Sequence, residues 1–316
     1  MTPASACPLC LSREAGHVSS RDRRGAPLTT VLCLNCGLYR TDPLPAPGEI
    51  QRFYEHEYRL AYKGVVRPRA HHVLRAAQAA RDRLVWLRAH LAGRRRWLDA
   101  GAGSGEFACL LGRMGALVSV LEPNRGYAEY MRKELGLAVR EGFLEDLAPG
   151  EARFEGIAFF HVIEHHPDPV GALARLRSLL APDGVLAVET PNAAAALHPD
   201  KRFHRAHLVH FTLGTLALAA QRAGFAPLEC RESSDGGILW GVFTPAPPAP
   251  AAPCQESAAR LWERERRRSV RAYYASPAVW QRTAGRLARL AGDRVRGLWV
   301  KSPRGYLARL PLPEGP

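Results

Sequence analysis

A chain of 316 residues, 47% of them apolar, can bury a substantial core and hold more than one unit. No apolar run approaches the ~20 residues of a membrane span, and MTPASACPLC has no apolar signal core, so a soluble cytoplasmic protein is expected. The formal charge of +14 admits nucleic acid or an anionic membrane as partner, but only four of the 44 basic residues are lysine, and arginine abounds beside alanine and proline, so compositional bias accounts for the charge without either.

In chain order, the first signal is cysteine spacing. Cys7-Pro8-Leu9-Cys10 and Cys33-Leu34-Asn35-Cys36-Gly37 give C-x2-C-x22-C-x2-C, the spacing of two knuckles around one tetrahedral zinc. Four thiolates close the shell, so a structural Zn2+ held by Cys7, Cys10, Cys33 and Cys36 is expected over a unit of residues 1–45. His17 reads as a surface residue, while Cys109, Cys230 and Cys254 are scattered, Cys109 within a helix.

Residues 46–90 read as a helical lead-in. Strand and helix patterns then alternate. Strands are expected at Trp97–Ala100, Leu117–Leu121 (ending at Glu122), Ala138–Arg140, Ile157–Phe160 and Val185–Val188. Helices are expected at Phe107–Met114, Tyr127–Leu135, Val170–Leu180 and Leu213–Ala223, the last stopped by Gly224. Two closing strands, Pro227–Arg231 and Ile238–Phe243, flank the hairpin signal Asp235-Gly236-Gly237. This alternation predicts an α/β, doubly wound, mostly parallel sheet over residues 46–243. Residues 244–256 form a Pro/Ala linker, and 257–316 a basic helical tail. In the tail, Trp280, Leu287, Leu290, Val295, Leu298 and Trp299 recur at helical spacing and are expected to pack on a neighbouring domain, with a membrane surface as the less favoured reading.

Glycines decide among ligands. "LDAGAGSGEF" sets Gly101, Gly103 and Gly105 at alternate positions. No Gly-Lys-Ser/Thr follows, which excludes a triphosphate loop. Glu106 stands where the dinucleotide fingerprint needs glycine, and a carboxylate at a helix start disfavours pyrophosphate. The frame suits a cofactor without phosphates, with Glu122 placed for both ribose hydroxyls.

Over about residues 69–243 the sequence resembles the class I S-adenosylmethionine-dependent methyltransferases. LDAGAGSGEF looks like their first motif, LEPN like the ribose-binding strand end, FEGIAFFHVIEHHPDP like the fourth-strand segment, and LLAPDGVLAVETPN like the turn and fifth strand. CPLC, CLNCGLYRTDPLP, FYEHEY and RFHRAHLVHFTLGTLALAAQRAGF resemble a zinc-knuckle subfamily linked to sugar and surface-polysaccharide methylation. The resemblance implies a seven-stranded Rossmann-like methyltransferase sheet. It implies that Asp99, Gly101, Ala102, Gly103 and Gly105 shape the methionine pocket, that Glu122 and Pro123 meet the ribose, and that Phe143 and Leu144 border the adenine. Phe143 departs from the Asp common there, and Glu155 from the Asp of the "FD" pair. An activated methyl group makes alignment the main requirement, with a base only if the acceptor must lose a proton.

His161 ends the fourth strand, where it is expected to contact the cofactor and could act as base. Glu164 and His165 are expected to shape the following turn. His204, His207 and His210, beside Arg202 and Arg205, suggest an acceptor pocket of anionic character, with His207 and His210 as further catalytic candidates. The expected function is methyl transfer to an oxygen or carbon of a sugar, nucleotide-sugar or related metabolite. The alternatives are a zinc-knuckle RNA methyltransferase, which the lack of interleaved aromatic and basic residues disfavours, and a non-catalytic zinc-bearing interaction module, which the intact glycines and Glu122 disfavour. A chain cut after Pro253 is expected to keep cofactor binding and turnover.

Overall fold

The computed structural model describes residues 4–45, 48–49, 68–150, 153–195, 198–247, 257–297, 300 and 302–313. The FYEHEY segment, the linker from 248 to 256 with Cys254, and Leu298 and Trp299 lie outside them.

Three strands open the chain: β1 (Ala15–Arg21), β2 (Pro27–Cys33) and β3 (Tyr39–Thr41). α1 (Ala70–Leu91) leads into β4 (Arg96–Ala100), whose last four residues are buried. Gly105, at φ +84°, turns the chain into α2 (Glu106–Arg113). β5 (Leu117–Glu122) follows, then α3 (Arg125–Tyr130), which widens into a π turn over Met131–Leu135. β6 (Val139–Glu141) and β7 (Phe154–Phe160) come next, then α4 (Pro169–Leu179) and the twelve-residue β8 (Leu180–Pro191). β9 (Val209–His210) precedes α5 (Leu213–Arg222), which Thr212 caps through the Thr215 N–H. β10 (Phe225–Glu232) and β11 (Ile238–Pro245) form the expected antiparallel hairpin. Four helices close the chain: α6 (Ala258–Arg267), α7 (Val270–Ala275), α8 (Pro277–Gly297) and α9 (Pro303–Arg309).

The principal sheet has seven strands in the order β10-β11-β8-β7-β4-β5-β6. β4 pairs in parallel with β5 and β7, and β5 with β6. A parallel sheet is covered on both faces, so its strands read as near-continuous apolar runs, as β4 and β7 do. The expected α/β class and the strand–helix alternation are observed.

The chain forms two compact units: residues 1–47, 161–177 and 188–282 in one, and 48–160, 178–187 and 283–316 in the other. In the second unit, Trp97 of β4 is fully buried opposite Gly156 of β7. A Cβ at Gly156 would come within 2.4 Å of the Trp97 ring, so that position admits no side chain without a shift. Glu155 accepts hydrogen bonds from the backbone N–H groups of Arg95 (2.7 Å) and Arg96 (2.9 Å), tying β7 to the start of β4. α9 belongs to this unit: Leu307 is fully buried, and Arg113 of α2 donates to the carbonyls of Leu307 and Leu310.

In the first unit, β1, β2, β3 and β9 form an antiparallel four-stranded sheet that the sequence does not announce. Leu261 of α6 is fully buried in a cluster with Leu32, Tyr39 and Phe203. Glu265 accepts from the Tyr39 hydroxyl (2.8 Å), from both terminal nitrogens of Arg202 (2.9 and 2.6 Å) and from Arg268 (2.9 Å). The apolar stripe of the tail departs from expectation. Trp280, Leu287 and Val295 of α8 are more than half exposed, while the helix approaches α1 elsewhere, through Gly297 against His71 and an Arg75–Asp293 ion pair.

Candidate functional site

The four early cysteines converge in the first unit. One sulfur from each of Cys7, Cys10, Cys33 and Cys36 lies within 4.8 Å of the others, with Cys7–Cys36 at 3.7 Å and Cys10–Cys33 at 3.4 Å. Thiolates about 2.3 Å from a tetrahedral zinc stand about 3.8 Å apart, so the donor set and spacing fit that ion. The two knuckles share one turn. Leu11 donates to the Cys7 carbonyl and Gly37 to the Cys33 carbonyl, and both residues have positive φ (65° and 81°). The Cys33 thiol lies well below its usual range, with Cys36 and then Cys7 as its hydrogen-bond donors. Cys7, donating to it, is pushed up to about 12. Arg222 of α5 clasps the first knuckle through the Leu9 carbonyl.

In the second unit the glycine turn follows β4. Gly101, Gly103 and Gly105 all have positive φ (78°, 60° and 84°), a conformation glycine adopts without steric cost. Glu122, buried at the end of β5, accepts the Gly103 N–H at 2.8 Å and the Asn124 N–H at 2.9 Å, one on each carboxylate oxygen. Gly101 and Ala102 both donate to the Leu121 carbonyl, which closes the turn. Asp99 is buried, and its Oδ2 has no hydrogen bond. Burial, opposed by Arg83 and reinforced by Glu122, pushes its carboxyl up to about 7. Phe143 is held by its N–H, which donates to Asp146 Oδ2 at 2.7 Å, and Leu144 beside it is buried.

The remaining candidates gather in the first unit. His161 directly follows β7 and has φ +56°, a conformation rare outside glycine, which its N–H secures by donating to the Glu189 carbonyl at 2.7 Å. Its ring lies between two carboxylates: Nε2 is 2.8 Å from Glu189 Oε1 and Nδ1 is 3.3 Å from Glu164 Oε1. Burial opposes the charge on this ring, but the hydrogen bonds to Glu164 and Glu189 outweigh it and raise its pKa to about 9. At neutral pH His161 is therefore an imidazolium, not a ready base. His204 stacks on His207 at 3.7 Å between ring centroids, and His210 lies in β9. Burial holds His204 and His210 down at about 3 and His207 well below its ordinary value, so this group is neutral. Arg202 is not placed to meet an anionic acceptor, because Glu265 pairs with its guanidinium. Sequence reasoning missed Glu189. Its signal was a carboxylate set in the buried run of β8.

A family model described as a methyltransferase domain matches residues 69–229, just over half of the chain. The chain belongs to the methyltransferase-domain family. Among curated proteins, the ubiquinone biosynthesis O-methyltransferase of Actinobacillus pleuropneumoniae serotype 5b (strain L20) is 32% identical over 105 residues, covering 30% of this chain and 45% of that protein. The protein of the same name from Azorhizobium caulinodans is 34% identical over 102 residues, covering 31% and 40%. The chain thus spans less than half the length of these relatives. Among solved structures, Burkholderia thailandensis 1,6-didemethyltoxoflavin-N1-methyltransferase, with bound 1,6-didemethyltoxoflavin and S-adenosylhomocysteine, has a TM-score of 0.50 at 23% identity, over 74% of this chain and 99% of that one. Magnesium protoporphyrin IX methyltransferase from Synechocystis PCC 6803, with bound S-adenosylhomocysteine, has a TM-score of 0.51 at 14% identity, over 64% and 100%. At these identities both structures show that this methyltransferase-family chain shares their fold.

Proposed function

We propose that this chain is an S-adenosylmethionine-dependent methyltransferase acting on an oxygen of a small-molecule acceptor. The observation that carries the reading is Glu122. Its buried carboxylate ends β5 beside the glycine turn and is held in place by the backbone N–H groups of Gly103 and Asn124, the position from which a carboxylate can meet a pair of vicinal hydroxyls. Asp99 Oδ2, buried without a hydrogen bond, suits a cationic amino group. Gly101, Ala102, Gly103 and Gly105 would border the same ligand, with Pro123, Phe143 and Leu144 along the ribose and adenine. When bound, S-adenosylmethionine supplies an activated methyl group. The oxygen acceptor rests on the names of the curated relatives. A sugar hydroxyl is the second reading, favoured by the four-sulfur cluster and the subfamily resemblance. S-adenosylhomocysteine release with a phenolic acceptor, compared with a nucleotide sugar, discriminates the two.

Glu122→Ala removes charge-assisted bonds worth about 1.5–3 kcal/mol, so S-adenosylhomocysteine should bind about 10- to 150-fold more weakly in calorimetry. Unchanged affinity in a folded variant would remove the ribose assignment.

His161 would take the acceptor proton, with Glu164 and Glu189 steadying the charge it gains, while His207 and His210 would wall the acceptor. A base whose pKa is raised to about 9 is active only in its deprotonated fraction. In buffer without added divalent metal, kcat/KM is expected to rise about tenfold per pH unit from pH 6 towards 9. His161→Gln should abolish that limb. A flat profile in the unsubstituted chain would leave His161 as a positioning residue.

A further inference from the structure

A second group of donors lies apart from the cysteines. Glu164, His165 and His207 each place one ligand atom within 4.8 Å of the others. They come from the 3-10 turn at Ile163–His165, just after β7, and from the loop before β9. Two chain segments are joined there, because Leu208 donates its N–H to the Glu164 carbonyl at 2.8 Å.

The Glu164 side chain is 1% exposed, and its two oxygens differ. Oε2 accepts the Thr190 hydroxyl at 3.0 Å. Oε1 has no hydrogen bond and stands 3.9 Å from His207 Nε2 and 3.3 Å from His161 Nδ1. This buried carboxylate oxygen is turned towards the imidazoles of the group, where its charge attracts a cation. His165 is oriented as metal-bound histidines commonly are: its Nδ1–H donates to the Ala206 carbonyl at 2.7 Å, which fixes the tautomer with a lone pair on Nε2.

We propose that Glu164, His165 and His207 form a divalent-cation site of the zinc, manganese or iron(II) class, with open coordination positions for the acceptor oxygen. One carboxylate with two imidazoles suits those ions better than Mg2+ or Ca2+, which prefer oxygen donors alone. Three protein ligands leave room for one or more exchangeable positions, unlike the closed cysteine site. This deepens the methyl-transfer reading and rests on it for the role of the open positions. A hydroxyl bound to the cation would lose its proton more easily, to the neutral form of the His161 ring beside Glu164. The cation would also take up the Glu164 charge that faces His161.

The test is binding of Co2+ alone to the full chain as purified, with no cofactor or acceptor. One equivalent is expected to bind beyond the metal held by the cysteines, with weak visible bands and no thiolate charge transfer. His207→Ala and Glu164→Gln should each lose that equivalent while keeping the cysteine-bound metal and a cooperative melt. If the unsubstituted chain binds no extra Co2+, or if both variants bind it as tightly as the unsubstituted chain, the site is overturned. Should one variant fail to fold, the titration of the unsubstituted chain still decides. S-adenosylhomocysteine calorimetry on the same preparation reports separately on the methyl-transfer reading.

Discussion

Cys33→Ser is expected to release one equivalent of zinc per chain and to lower the melting temperature by on the order of ten degrees or more. The proposed ion joins Cys7 and Cys10, before β1, to Cys33 and Cys36, at the end of β2 and in the turn after it. Structural zinc supplies roughly 10–16 kcal/mol to small zinc modules. Even a fraction of that rivals the whole stability of a domain, about 5–15 kcal/mol. Arg222 grips the Leu9 carbonyl, so loss of the knuckle also loosens α5. Elemental analysis of protein purified without added zinc, alongside calorimetric melting, checks this. Full metal content and an unshifted melt in Cys33→Ser would refute the four-sulfur site.

Cutting the chain after Pro253 is expected to leave it unfolded or insoluble. The sequence, with its Pro/Ala run and arginine-rich tail, gave the opposite expectation. The cut removes Leu261 and Leu307, both fully buried, each contributing about 1.5–3 kcal/mol. It also strips Arg202, whose side chain is 5% exposed, of the Glu265 carboxylate. Removing one partner of a buried ion pair costs about 3–5 kcal/mol. Circular dichroism and solubility of the truncated chain measure the effect, and a native melting curve would overturn it.

What the sequence made legible was local. The glycine turn, the carboxylate ending β5, the helix stopped by Gly224 and the hairpin at Gly236 each depend on neighbours a few residues away. The four-stranded sheet was hidden because Tyr39 pairs with His210, and no periodicity links residues so far apart. Glu265 carries no local signal of its role, because its partners Arg202 and Tyr39 lie 63 and 226 residues away in the chain. The sequence marks His161 as a possible base, since histidine titrates near neutrality, but not how firmly it holds its proton. The two carboxylates that change its charge sit three residues on and in another strand. Helical spacing in the tail agrees with α8, but an apolar stripe does not say what it packs on, and Trp280, Leu287 and Val295 are exposed.

The first unit draws on distant parts of the chain, and this sets a timetable for synthesis. β3 emerges from the ribosome long before β9, and about 170 residues of chain separate them. At 5–20 residues per second, the edge of β3 waits on the order of ten seconds or more for its partner. An unpaired strand edge is a site of aggregation during that interval. The cysteine knuckles span only Cys7 to Cys36 and can close at once if metal is present. Zinc supply during expression should therefore govern the soluble yield of this chain, as well as the stability of the finished molecule.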